Sequence, residues 1–230
     1  MSNLYIITTD HRDQIHGPKK LLTLYDRIHP DILLSEINEE DLQKFTNFCR
    51  NLMARLRQLT PDQKGVDDFM NIFTMSSGFE YYANEEYAQN YGISNHMVDM
   101  PGGQSKFYSQ LEQTMEMVLK QAKYNGGVDI QKWIRKFKER SAKSPEEVRK
   151  SWETFTQFEG TPEGETILLL ASVTTGRIGK QDEYMEERIR GLYDPNKVIA
   201  FPVGMLHALE SMFKKTFYSR IKDLKVKIKD

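Results

Sequence analysis

Four short apolar runs constrain this chain most: Leu4 to Ile7 (LYII), Ile32 to Leu34 (ILL), the weaker Ile93 to Val98 (ISNHMV) and Val198 to Val203 (VIAFPV). Each has the length of a strand. The first, second and fourth are apolar without alternation, which is the pattern of strands covered by helices on both faces. The intervening segments carry apolar groups at helical period. Examples are Leu21, Leu22, Tyr25 and Ile28; Leu42, Phe45, Cys49, Leu52, Met53 and Leu56; Phe79, Tyr82, Ala83, Tyr87 and Tyr91; Phe107, Leu111, Met115, Val118 and Ala122; and Leu206, Leu209, Phe213 and Phe217. The expected fold is therefore α/β, with α+β as its variant: a mostly parallel or mixed central sheet flanked by helices, in one domain covering residues 1–230.

Punctuation along the chain fits this reading. Thr60-Pro61-Asp62-Gln63 and Ser144-Pro145-Glu146-Glu147 each place a hydroxyl before a first-turn proline, with Gln or Glu three residues after the hydroxyl, which predicts two helix starts. Residues 125–158 carry Trp133, Ile134, Phe137, Val148, Trp152 and Phe155 in two helical blocks and read as a helical insertion able to cover a site. In the C-terminal KDLKVKIKD, lysines alternate with Leu224, Val226 and Ile228, which predicts an edge strand guarded by charge.

The residues just after each apolar run point to chemistry. The first run leads into Asp10 and His11, the second into Ser35 and Glu36, the third into Asp99, and the fourth into Gly204-Met205-Leu206-His207. In parallel neighbours these groups would gather at the carboxyl ends of the strands, where open α/β sheets bind ligands. Two His with carboxylates suit Zn, Mn, Fe or Co. A metal held there could bring the pKa of bound water to about 7 and supply hydroxide for hydrolysis.

Composition narrows the alternatives. A formal net charge of -1 gives no whole-chain field for nucleic acid or an anionic membrane, so neither is expected as a partner. The longest apolar run, Ile167 to Val173, falls far short of the roughly 20 residues that span a bilayer, and the N-terminus lacks a secretory signal, so a cytoplasmic location is expected. The single cysteine, Cys49, excludes an internal disulfide framework and a cysteine-based zinc site.

Structural roles compete at several positions. Glu36 could cap the acidic helix start at Asn38-Glu39-Glu40-Asp41, Glu80 could close a capping box with Ser77, and Asp99 could serve the turn at Met100-Pro101-Gly102-Gly103. His16, His29 and His96 have no partner at ligand spacing and read as surface or core residues. Ser76-Ser77-Gly78 lacks the elbow of serine hydrolases, and Gly102-Gly103 lacks the Lys of a P-loop.

The blocks TTDH, ILLSEI, GFEYYANEEYAQNYGISNHMVDMP and VIAFPVGMLHAL, taken in order, resemble the TraB/PrgY/GumN family, a group similar to the Tiki metalloproteases, the ChaN haem-binding proteins and the erythromycin esterases. The resemblance implies a hydrolase acting on a peptide, ester or lactone, whose site is built from two G-x-x-H elements and glutamates. The second element is intact as Gly204 to His207. The first is altered, with Thr8 in place of Gly, then Thr9, Asp10 and His11. By the same resemblance His11, Glu36, Glu80 and His207 are the catalytic and metal-binding candidates, with Asp10, Asp99 and Asp182 orienting them. Gln181-Asp182 stands where the family often has Arg-Asp, so Arg177 or Arg188 would have to supply any lost cation. The expected partner is a small-molecule or peptide substrate and the expected cofactor a divalent metal. The alternatives are a non-catalytic haem- or peptide-binding protein, and a metal-free esterase with His11 as general base.

Overall fold

The computed structural model describes residues 4–9, 16–75, 79–102, 105–141, 145–175, 179–213, 216–224 and 226–229. Five strands, β1 (Leu4–Thr9), β2 (Ile32–Ser35), β3 (Ser94–Met97), β4 (Ile199–Gly204) and β5 (Val226–Lys229), form one sheet in the order β3-β2-β4-β1-β5. Every pairing is parallel. The fold is thus α/β, as the unbroken apolar runs require. All strands direct their carboxyl ends to one edge, and the fully buried β4 lies at the centre.

The first helices are α1 (Gly17–Ile28), α2 (Glu39–Leu59), α3 (Gln63–Met75), α4 (Phe79–Tyr91) and α5 (Ser105–Tyr124). After them come α6 (Ile130–Ser141), α7 (Pro145–Thr156), α8 (Pro162–Thr175), α9 (Lys180–Leu192), α10 (Met205–Ala208) and α11 (Phe217–Ile221). Strand period divides the core cleanly. Leu4, Ile6, Ile32, Leu34, Ile199, Phe201 and Val203 pack on one face against Met185 and Ile189 of α9 and Phe217 and Ile221 of α11. The alternate residues Ile7, Leu33 and Ala200 pack on the other face against Leu21 and Tyr25 of α1 and Phe79, Ala83 and Tyr87 of α4.

A second core is purely helical. Phe45, Cys49, Leu52 and Leu56 of α2 meet Val66, Phe69, Met70 and Phe73 of α3, with Tyr108 and Leu119 of α5 and Ile130 and Ile134 of α6. The two helices of residues 125–158 therefore contribute to different places: α6 joins this helical core, whereas Trp152 of α7 packs against the sheet. Among the described residues no helix is long and apolar enough to cross a membrane, and the apolar run from Ile167 lies in α8.

Several local expectations shift. The start of α3 is capped by Asp62, whose carboxylate accepts the Gly65 N–H at 2.8 Å, while the Thr60 hydroxyl accepts the Asp62 N–H at 3.2 Å. The helix consequently begins at Gln63, two residues later than a Thr60 cap would place it. In α5 the buried positions are Tyr108 and Leu119, while Val118 is exposed. The spacing of Leu206, Leu209, Phe213 and Phe217 predicts one helix, but α10 ends at Ala208 and α11 starts at Phe217. Side chains take the backbone N–H groups there, two of them remote in sequence: Glu159 accepts from Glu210 at 2.6 Å and Glu165 from Met212 at 2.6 Å, while Ser219 of α11 accepts from Ser211 at 2.5 Å. Donors committed this way cannot extend a helix.

Candidate functional site

The site begins where β2 and β4 part. Their register pairs Ile32 with Ile199 and Leu33 with Ala200, and no further. Pro202, which has no N–H for the ladder, lies just beyond. Glu36, the first residue past β2, turns into this space, and its Oε2 accepts the Gly204 N–H at 3.2 Å. The helix-cap role considered for Glu36 belongs to Asn38, whose side chain accepts the Asp41 N–H at 2.9 Å.

His207 enters from α10, held close to the sheet because that helix continues directly from β4. Its Nε2 stands 3.4 Å from Glu36 Oε1, and its Nδ1 is 2.8 Å from Asp182 Oδ1. Asp182, at 0% exposure, is the fixed point of the arrangement. Its Oδ1 also accepts the Phe217 N–H at 2.5 Å, and its Oδ2 accepts the Gly179 N–H at 2.8 Å. Gly179 has φ 104°, a left-handed backbone open to glycine, and this conformation turns its N–H back onto the third residue of α9. Asp182 thus anchors α9, α10 and α11 at one point. An Asp bonded to Nδ1 sets the tautomer in which Nε2 is left to face the site.

Gln181 completes the group. Its Nε2 donates to Glu36 Oε1 at 3.2 Å, while its Oε1 is buried without a hydrogen-bond partner among the described residues. In the sequence Gln181 stands out only as the loss of an arginine; its adjacency to Asp182 on the first turn of α9 is the available signal. The residue supports Glu36 through a neutral amide.

A polar chain fixes the end of β2 from the opposite face. Asn84 of α4 donates to the Leu34 carbonyl and the Ser35 hydroxyl, each at 2.9 Å, and accepts from the Tyr25 hydroxyl. Glu80, one turn earlier and also buried, lies near enough to Tyr25 for its charge to act there. Burial first, then the charges of Glu80 and Tyr87, holds the Tyr25 phenol well above its ordinary range. Asp99 is buried beyond β3, where its Oδ1 accepts the Met100 N–H at 2.6 Å in the turn.

The structure therefore brings Glu36, Gln181, Asp182 and His207 together. Glu80 lies near Tyr25, and Asp99 at its own turn. Asp10, His11, Ser77 and Arg177 lie outside the described residues. β1 is described as far as Thr9, whose register partner is Gly204. His29 takes φ 48° at the end of α1, three residues before β2 and thus at the opposite sheet edge from His207. His96 lies within β3.

Two donors, His207 Nε2 and Glu36 Oε1, are spaced to share an ion. Bonds of about 2.0–2.1 Å at a tetrahedral angle put two ligand atoms about 3.4 Å apart. Gln181 Oε1, unpaired among the described residues, offers a further oxygen beside them. Among the described residues no group of three or more His, Cys, Asp or Glu side chains is arranged to hold a metal. At 3.4 Å the pair is longer than a charge-assisted hydrogen bond, which spans about 2.7–2.9 Å.

No family model, curated protein or solved structure matches the chain.

Proposed function

We propose that this protein is a metal-dependent hydrolase of the Tiki/TraB kind, acting on a small-molecule or peptide substrate through a peptide, ester or lactone bond. The observation that carries the reading is the buried line Glu36, His207, Asp182 at the carboxyl end of the central parallel strand. Glu36 and His207 would hold the divalent ion, Mn, Co, Zn or Fe, with His11 as a third candidate and Glu80 as ligand or general base. When bound, such an ion supplies Lewis acidity and a hydroxide nucleophile at neutral pH.

The chain's own residues do the remaining work. Asp182 accepts the Nδ1–H of His207, which keeps the Nε2 lone pair toward the site and increases its basicity. Gly204 and Gln181 each donate to one Glu36 oxygen, so the carboxylate cannot swing away from His207. Positioning is thus completed before substrate arrives.

The hydrogen bond between Asp182 and His207 also favours a second reading. It is the orienting pair of a general base, which would let His207 activate water directly, as the Asp does for the His of a serine-protease triad.

The test is a hydrolysis panel of p-nitrophenyl esters, lactones and fluorogenic peptides, run as purified, after thorough chelation, and after return of Mn, Co, Zn or Fe(II). Activity that disappears on chelation, returns with metal, and is lost in Glu36→Gln and His207→Gln is expected. Activity surviving chelation selects the general-base reading. Inactivity on every class, with a Soret band on haem titration, selects a haem-binding protein instead.

A further inference from the structure

Outside the candidate site, charge and apolar exposure coincide in one place. Residues 120–138 hold six basic side chains (Lys120, Lys123, Lys132, Arg135, Lys136 and Lys138) and one acidic side chain, Asp129, in a chain whose net charge is -1. Asp129 is committed locally, since its Oδ1 accepts the Lys132 N–H at the start of α6. Among the described residues Lys132 and Lys136 have no ion-pair partner.

Between the C-terminal half of α5 and the first turns of α6 lies an open groove of about 730 Å³. Met117, Val118, Ala122 and Trp133 line its apolar part, and its charged lining is Lys132, Lys136 and the locally bonded Asp129. Met117 is 66% exposed and Val118 37%, which is unusual for neighbouring large apolar side chains on a helix. The groove is rigidly framed. The Gly127 N–H is bonded to the Ala122 carbonyl and the Val128 N–H to the Leu59 carbonyl, both at 2.9 Å, while the Trp133 ring meets Phe69 edge-on at 5.6 Å.

We infer that this groove docks an acidic amphipathic helix of a partner protein. An apolar channel beside unpaired lysines complements a helix with apolar residues at i, i+3, i+4 and i+7 and Asp or Glu on its flank. Concavity argues against a membrane as occupant, because a bilayer surface is too flat to fill the groove. Trp133 is the one aromatic among the groove's lining residues and its ring is engaged edge-on with Phe69, which argues against nucleic acid, since that binds through stacking on open rings and phosphate contacts. Preformed walls lower the ordering cost of binding.

The experiment pans phage-displayed helical peptides of about 16 residues against the full chain, then measures the leading peptide by fluorescence polarisation. Acidic amphipathic sequences should be enriched, and affinity should fall with added salt. It should also fall at least about tenfold in both Met117→Asp and the double variant Lys132→Glu/Lys136→Glu, and stay unchanged in Lys44→Glu on α2. Far-UV circular dichroism confirms that these surface variants fold. The inference is overturned if no peptide or only non-acidic peptides are enriched, or if charge reversal leaves binding intact. It is equally overturned if phosphatidylserine vesicles or single-stranded oligonucleotide bind in preference to the peptide, or if the groove proves to be a dimer interface that Met117→Asp dissolves.

Discussion

Replacing Asp182 by Asn isolates the anchoring role of its carboxylate without changing shape. In the wild type, Oδ1 serves His207 Nδ1 and the Phe217 N–H, and Oδ2 serves the Gly179 N–H. An Asn side chain keeps one of these acceptors. With its oxygen toward His207 and Phe217, its amide N–H₂ confronts the Gly179 N–H, donor against donor. Facing the part-buried Gly179 N–H with another donor costs about 1–3 kcal/mol, and the two surviving bonds lose their charge assistance. The sum is about 2–4 kcal/mol, which for a chain of this size lowers Tm by about 5–15 °C. Thermal unfolding at fixed pH measures it. Nitrogen NMR of His207 supplies the second readout: the wild type should hold its proton on Nδ1 in the neutral ring, and the variant should lose that preference. A double-mutant cycle with His207→Ala should show the two substitutions to be non-additive. A Tm within about 1 °C of wild type, together with an unchanged tautomer, would refute the anchoring role.

Two further substitutions or modifications probe the cores. Burial pushes the Cys49 thiol up to about 11, with Thr74 opposing weakly, so native labelling by iodoacetamide at pH 8 should be at least about 100-fold slower than in denaturant; equal rates would contradict the burial. Because folding favours the neutral thiol, its stability contribution is complete below about pH 9 and is lost as pH rises from about 9 toward 11, which urea titrations across that window would detect. Gly17→Ala puts a Cβ 2.4 Å from the ring of the buried Phe79, and the shift this forces between α1 and α4 should cost about 1–3 kcal/mol by chemical denaturation; a neutral result would show that the ring can move aside.

Much of the fold was legible because parallel strands buried on both faces have almost no choice but to be apolar throughout. LYII, ILL and VIAFPV could hardly be anything else, and the alternating lysines of Val226–Lys229 announced an edge. Buried stripes such as Phe45, Cys49, Leu52 and Leu56 were equally plain. The break between α10 and α11 was hidden, since two of the groups that stop the helix, Glu159 and Glu165, act from elsewhere in the chain. At the site, strand-end position pointed to Glu36 and His207, which meet. Gln181 shows in the sequence only as a missing arginine, because a neutral amide carries no chemical signature until its bond to Glu36 is seen. The parting of β2 from β4 was written in Pro202, but only a known neighbour makes the missing donor matter.

The central claim, that His207 and Glu36 bind a divalent ion, is tested most directly by the melting temperature of metal-stripped protein titrated with Mn, Co, Zn and Fe(II). An ion that binds only the folded state adds about 2.7 kcal/mol at a hundred times its dissociation constant. The wild type and His29→Ala should both gain several degrees in Tm with at least one of these metals, because His29 lies at the opposite sheet edge; His207→Ala and Glu36→Ala should gain nothing. A wild type that responds to none of them, or a response identical in all four proteins, would contradict the claim.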